Sequence, residues 1–132
     1  MKILFVCSGN AHRSPLAEAL LRKMRPDLQV DSAGLHVAIP ISEEAKEYLT
    51  RQNAEQCLKK APESLEEKKL HEYDLIVAME QRHKNAVLIR CPECKSKTIV
   101  WSIEDPYAML REEAEKIYEQ IREKVSELAR TM

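Results

Sequence analysis

Four short, almost unbroken apolar runs punctuate the chain: Lys2 to Val6, Leu28 to Ser32, Tyr73 to Met79 and Lys97 to Trp101. Short, nearly continuous runs rich in β-branched residues describe strands covered on both faces. The stretches between them read as helices. Leu16, Leu20, Leu21 and Met24 recur at helical spacing, Ser42 is placed to cap a second helix ending near Asn53, Pro62 can open a third through Leu70, and a fourth covers Glu80 to Ile89. Leu110, Ala114, Ile117, Ile121, Val125 and Leu128 then form one apolar stripe among Glu, Lys and Arg, the mark of a final helix packed on a core. Strands that alternate with helices pair in parallel. The expected fold is therefore α/β: a single-domain three-layer sandwich, over residues 1–132, with a central four-stranded parallel sheet and helices on both faces.

In such a sheet every strand ends on the same rim, and ligands bind there. Four informative segments fall on it: Cys7 to Ser14 after the first strand, Ser32-Ala33-Gly34 after the second, Glu80 after the third and Asp105-Pro106-Tyr107 after the fourth. Cys7 and Asp105, at opposite ends of the chain, can meet across this edge.

The segment Cys7-Ser-Gly-Asn-Ala-His-Arg13-Ser14 joins a strand to a helix N-terminus. Backbone N–H groups of such a turn point inward and the helix dipole adds positive potential, so a phosphate-sized oxyanion is favoured in it. Cysteines at helix N-termini or beside cations ionise readily, which makes a nucleophilic thiolate the expectation for Cys7. Arg13 supplies a planar fork for two oxygens of one phosphate. A cysteine at a strand end is more commonly a small buried hydrophobe, and three features count against that here. Among the four cysteines only Cys7 has an arginine six residues on; Cys57, Cys91 and Cys94 have Glu63, Lys97 and Val100. One of only two glycines, Gly9, lies in the loop, where unusual dihedrals or close approach of a ligand would need it. Ser14-Pro15 makes a good helix start, because a first-turn proline lacks an N–H that would be unpaired anyway.

A thiolate that displaces an alcohol from phosphorus needs an acid to protonate the leaving oxygen, and the resulting carboxylate can then activate water. Asp105 is the candidate: Pro106 stiffens the turn, and Trp101 and Tyr107 are placed to shield it. Alone, Asp-Pro is an ordinary turn dipeptide; opposite a cysteine loop it gains meaning. Glu104 and Glu80 are the next carboxylates on the rim.

This combination resembles the low-molecular-weight protein tyrosine phosphatase family, whose members carry C-x-G-N-x-C-R-S-P-x-A-E near the N-terminus and D-P-Y late in the chain. The matching segments are Cys7-Ser-Gly-Asn-Ala-His-Arg-Ser-Pro-Leu-Ala-Glu18, Asp31-Ser-Ala-Gly34, Tyr73-Asp-Leu-Ile-Val-Ala-Met-Glu80 and Asp105-Pro-Tyr107. The resemblance implies a cysteine-dependent phosphatase with Cys7 as nucleophile, Arg13 binding the phosphoryl oxygens and Asp105 as general acid. It further implies that Asn10 and Ser32 hold the loop in shape and that Ser14 donates a hydrogen bond to the Cys7 thiolate. Ser8, Gly9, Asn10, Ala11, His12, Arg13 and Tyr107 form the expected substrate-binding surface.

The chain departs from the family at several points. The second loop cysteine, which can protect the nucleophile as a disulfide, is His12 here, expected as a bystander with its ring turned outward. Leu35 to Ile41 has no Phe, Trp or Tyr, and Ala108 stands where a second tyrosine often follows D-P-Y. Phosphatase chemistry is thus better supported than phosphotyrosine as substrate. The rival is a thiol-dependent arsenate reductase, which shares the fold and loop and would resolve its adduct with Cys91 or Cys94; such enzymes generally lack D-P-Y.

A net charge of -1 and a pI near 6.4 give no support for nucleic-acid or membrane-surface binding. No stretch reads as a signal peptide or membrane span, so the expectation is a cytoplasmic protein, a monomer, that acts on a phosphorylated protein or small phosphomonoester. No cofactor or metal is expected. Thiols or ligands are favoured over a disulfide framework in a reducing compartment. For Cys91-Pro-Glu-Cys94 three states stay open: idle thiols, a local disulfide, or half of a zinc site completed by His83 or Cys57. Cys57 reads as packing.

Overall fold

The apolar runs pair into one sheet. In the computed structural model, which describes residues 1–132, they form β1 (Lys2–Cys7), β2 (Gln29–Gly34), β3 (Leu75–Ala78) and β4 (Thr98–Val100). The strand order is β2-β1-β3-β4 and every pairing is parallel. Four helices connect and flank the strands: α1 (Arg13–Met24), α2 (Glu43–Arg51), α3 (Gln81–Arg90) and α4 (Arg111–Thr131).

Alternation along β1 divides the core into two layers. Ile3, Phe5 and Cys7 join a cluster with Leu16 and Leu20 of α1, Leu49 of α2 and Ile121 and Val125 of α4. Leu4 and Val6 face the other way, onto Ile76 of β3, Val87 of α3 and Leu65, Leu70 and Tyr73. Both faces of the central strand are therefore dry, which is why its sequence is continuously apolar. Truncating Leu4, which is fully buried, to alanine would cost about 2–5 kcal/mol.

Two local expectations change. The stretch from Pro62 to Leu70 is not an α-helix; it runs through two 3₁₀ turns, Leu65–Glu67 and Leu70–Glu72. Each turn plants one leucine in the second cluster, and a spacing of five cannot make a continuous helical stripe. The segment is also held to the edge of β2, where the Gly34 N–H donates to the Glu63 carbonyl at 2.9 Å. The stripe of α4 starts later than expected, since Leu110 precedes the helix and is exposed. The start of α1 is as expected: the helix opens at Arg13 and Pro15 lies within its first turn.

Cys91 and Cys94 form a disulfide, correcting the preference for thiols or metal ligands. Cys91 ends α3 and Cys94 lies in the 3₁₀ turn that follows, so the turn brings their Cα atoms to 5.3 Å, a separation a disulfide spans. His83 sits at the other end of α3, where it cannot complete a zinc site with them. Cys7 and Cys57 are free, and Cys57 packs against the larger cluster. No helix is long and apolar enough to cross a membrane.

Candidate active site

The loop after β1 turns its carbonyls outward and its N–H groups inward. The Cys7, Ser8 and Ala11 carbonyls accept from the N–H groups of Leu35 (3.2 Å), His36 (2.8 Å) and Ser42 (2.8 Å). The N–H groups of Ser8 through His12 donate to no acceptor within the protein. Ser8, Gly9, Ala11 and His12 line a cavity of about 250 Å³ together with Cys7 and Arg13. A ring of inward N–H donors beside a helix N-terminus attracts an anion.

The left-handed residue of the loop is Asn10 (φ 53°), and neither glycine has positive φ. Of the two reasons expected for Gly9, a left-handed dihedral is thereby excluded, and close approach of a ligand is the one that stays. A non-glycine is stable there because the fully buried Asn10 side chain uses all four of its hydrogen-bonding positions. Nδ2 donates to Ser14 Oγ (2.8 Å) and Ser32 Oγ (2.9 Å), while Oδ1 accepts from Lys59 Nζ (2.9 Å) and the Glu63 N–H (2.8 Å). Ser14 Oγ in turn lies 2.8 Å from Cys7 Sγ. Since Ser14 accepts from Asn10, its own proton is free to point at the sulfur. Ser32 passes its proton on to the buried Glu18 carboxyl at 2.6 Å. Burial raises the pKa of Glu18, against the Ser32 hydrogen bond and the charges of Arg22 and Lys59.

Arg13 is almost fully buried. One guanidinium nitrogen donates to Glu80 Oε2 (2.5 Å) and the Ile103 carbonyl (2.8 Å), and the other approaches Ser8 Oγ (3.3 Å) and Asp105 Oδ2 (3.6 Å). Its Nε–H has no partner in the protein, which leaves one edge of the fork for an oxyanion. Burial of the Glu80 carboxyl works to raise its pKa, but hydrogen bonds from Arg13 and Arg82 prevail and bring it to about 2. Glu80 is therefore an ion-pair partner of Arg13, and this environment does not suit a proton donor at neutral pH.

His83 completes this side. Its Nδ1 accepts the Glu80 N–H at 3.0 Å, so Nε2 carries the proton and donates to Ser8 Oγ at 2.9 Å. Burial, with the charges of Arg13 and Arg82, lowers its pKa to about 4 and keeps the ring neutral. Arg82 also donates to Ser8 Oγ, at 2.7 Å. With its oxygen approached by three N–H donors, the Ser8 hydroxyl keeps its own proton for an acceptor elsewhere.

Asp105 stands at the cavity mouth, its side chain 41% exposed. Oδ1 accepts the Tyr107 N–H at 3.0 Å, which fixes the carboxyl within its own turn. Tyr107 lines the same cavity; Trp101 does not, since it packs on Phe5 with ring centroids 5.5 Å apart. The expected shielding of Asp105 by Trp101 is thus absent, because the side chain of Trp101 is drawn into the core layer. His12 is not turned outward either. It lines the cavity and meets Tyr107 edge-on at 6.3 Å. Burial lowers its pKa, with Asp105 working against this. His36, Ala38 and Ile39 form the remaining wall.

Sequence reasoning did not single out Lys59, Glu63, Arg82 or the Ser8–His83 contact. A signal existed only for His83, three residues past Glu80 at the end of a rim strand. Lys59 and Glu63 lie in an irregular segment whose pattern says nothing about the loop it touches. Cys91 and Cys94 do not approach Cys7. α3 carries the chain away from the rim for ten residues, about 15 Å, and the two sulfurs are bonded to each other. The arsenate-reductase alternative thereby loses its resolving thiol.

Comparison with known proteins identifies the family. Residues 2–132 match the family described as Low molecular weight phosphotyrosine protein phosphatase. The low molecular weight protein-tyrosine-phosphatase Etp of Escherichia coli strain K12 is 36% identical over 124 residues, 88% of this chain and 84% of its own. A protein-arginine-phosphatase of Geobacillus stearothermophilus is 34% identical over 144 residues, 94% of this chain and 95% of its own. The structure of Vibrio vulnificus Wzb in complex with benzylphosphonate superposes with a TM-score of 0.89 at 30% identity, covering 99% of this chain and 98% of that one.

Proposed function

The chain belongs to the low molecular weight phosphotyrosine protein phosphatase family, and from that membership we propose that it hydrolyses phosphotyrosine in proteins through a phosphocysteine at Cys7. The observation that carries this reading is the placement of Cys7 Sγ, Arg13 and Asp105 on one cavity floored by unpartnered N–H donors.

In the first step the Cys7 thiolate attacks phosphorus, an S–P bond forms and the P–O bond to the phenol breaks. Asp105 gives its proton to the departing oxygen. In the second step the Asp105 carboxylate takes a proton from water as the water attacks phosphorus; the P–S bond breaks, phosphate leaves and the thiolate returns. Arg13 and the loop N–H groups hold the equatorial oxygens through both steps, the interaction that grows most as charge spreads in the transition state.

The choice of an aryl ester rests on the walls. Ala11, Ala38, Ile39 and Tyr107 give an apolar slot above the cradle, suited to a flat ring, and a neighbour of the same fold holds benzylphosphonate. A phosphoarginine substrate, the second reading, is favoured by the protein-arginine-phosphatase among the relatives. Asp105 is the sole acidic residue lining the cavity, which leaves a guanidinium with little to meet. The proposal includes a cytoplasmic location, which keeps the nucleophilic thiol of Cys7 reduced, although the Cys91–Cys94 disulfide is a bond that a reducing compartment disfavours. Initial rates on matched phosphotyrosyl and phosphoarginyl peptides test the choice: the phosphotyrosyl peptide should be cleaved with the higher kcat/KM, and the reverse order would favour the second reading.

A further inference from the structure

The side chain of Lys59 is only 7% exposed, and the residue lies outside every segment that marks the catalytic loop in the sequence. Its Nζ donates to Asn10 Oδ1 (2.9 Å), the Ser32 carbonyl (2.9 Å) and Ser32 Oγ (3.2 Å), and pairs with Glu63 Oε1 at 2.7 Å. Lys68 is a natural comparison. Its side chain is equally shielded, 7% exposed, pairs with Glu63 Oε2 (2.9 Å) and Asp31 Oδ2 (2.7 Å), and makes no hydrogen bond to the loop.

Lys59 heads a directed series of hydrogen bonds. By donating to Oδ1 it fixes the orientation of the Asn10 amide, which obliges Nδ2 to donate to Ser14 and so turns the Ser14 proton toward Cys7 Sγ. Hydrogen bonds in series polarise one another, and a cation at the donor end strengthens each. The same contact holds the one left-handed residue of the cradle, whose backbone strain must be offset from outside.

We propose that Lys59 is a positioning residue for the reaction, which through Asn10 and Ser14 sets both the reactivity of the Cys7 sulfur and the shape of the oxyanion cradle. The proposal rests on the phosphatase reading of this loop, but its test does not depend on turnover.

The experiment measures alkylation of Cys7 by iodoacetamide at mildly acidic pH and binding of vanadate by calorimetry, for wild type, Lys59→Met, Lys59→Arg and Lys68→Met, with thermal unfolding in parallel. For Lys59→Met, Cys7 alkylation should slow and vanadate affinity should fall, each about tenfold, the size of one lost charge-assisted hydrogen bond. Lys59→Arg should restore most of both, and Lys68→Met should lower stability while leaving both unchanged. If Lys59→Met does not fold, the double variant Lys59→Met/Glu63→Gln removes the charge of the Glu63 carboxylate, which would then be held by Lys68 alone, and takes its place. Alkylation and vanadate binding within twofold of wild type in a folded Lys59 variant would overturn the proposal, as would an equal loss in Lys68→Met. Failure of the phosphatase reading would instead show as absent turnover in wild type with these differences intact.

Discussion

Gly34 approaches the catalytic loop so closely that a Cβ on it would lie 2.6 Å from the Asn10 backbone nitrogen and 2.7 Å from the Gly9 carbonyl carbon. Both obstacles are backbone, so no side chain can move aside. By contrast, a Cβ on Gly9 would meet only the His36 carbonyl oxygen at 3.7 Å and Ala11 Cβ at 3.9 Å, ordinary contacts. The end of β2 acts as a template against which the loop is moulded.

Gly34→Ala should therefore push the loop away from β2, lowering stability by about 1–3 kcal/mol and abolishing vanadate binding in calorimetry. Gly9→Ala, at a position without positive φ, should fold with wild-type stability or slightly better. Equal destabilisation by the two changes in chemical denaturation would contradict the template role of Gly34.

His83 gives a pH prediction. Its pKa falls from an ordinary 6.5 to about 4 in the folded protein, so between these values the unfolded chain binds the extra proton. The stabilisation associated with the neutral ring is present above 6.5 and is lost as pH falls toward 4. Glu80, brought down to about 2 from 4.5, adds its own loss only at lower pH. An NMR titration should show the His83 ring remaining neutral through pH values at which an exposed histidine is already charged. Titration at the ordinary histidine value would mean that the Ser8–His83–Glu80 contacts do not persist in solution.

Asp105→Asn separates proton donation from support of the turn. A phenol as basic as tyrosine, with a pKa near 10, needs the acid, whereas an activated nitrophenyl ester needs it less. Single-turnover phenol release should slow by on the order of 10²–10⁴ for phenyl phosphate and distinctly less for the activated ester. Equal losses for both would assign Asp105 a structural role only.

The central strands β1 and β3 were legible because burial on both faces leaves a nearly continuous apolar run, and a parallel sheet fixes the shared rim on which every strand ends. Cys7, Arg13 and Asp105 could be placed on one edge for that reason alone. What could not be read depends on contacts between distant segments. Asn10 rather than Gly9 takes the left-handed conformation because Lys59 and the Glu63 N–H, some fifty residues on, satisfy its amide. Pro62 to Leu70 fails as a helix because its two leucines and its charges are each held by β2 and the sheet face. The state of Cys91 and Cys94 depends on a turn geometry that spacing leaves open. His12 faces inward because Tyr107, nearly a whole chain away, offers its ring an edge.

The most direct test of the central claim is to mix wild-type enzyme with a phosphotyrosyl peptide, quench in acid within one turnover and map the adduct by mass spectrometry under conditions that preserve the P–S bond. The mechanism predicts one phosphoryl group on the peptide that contains Cys7, absent in Cys7→Ser and longer-lived in Asp105→Asn with an activated ester. Turnover without any phosphoryl adduct at Cys7, or an adduct on another residue, would contradict it.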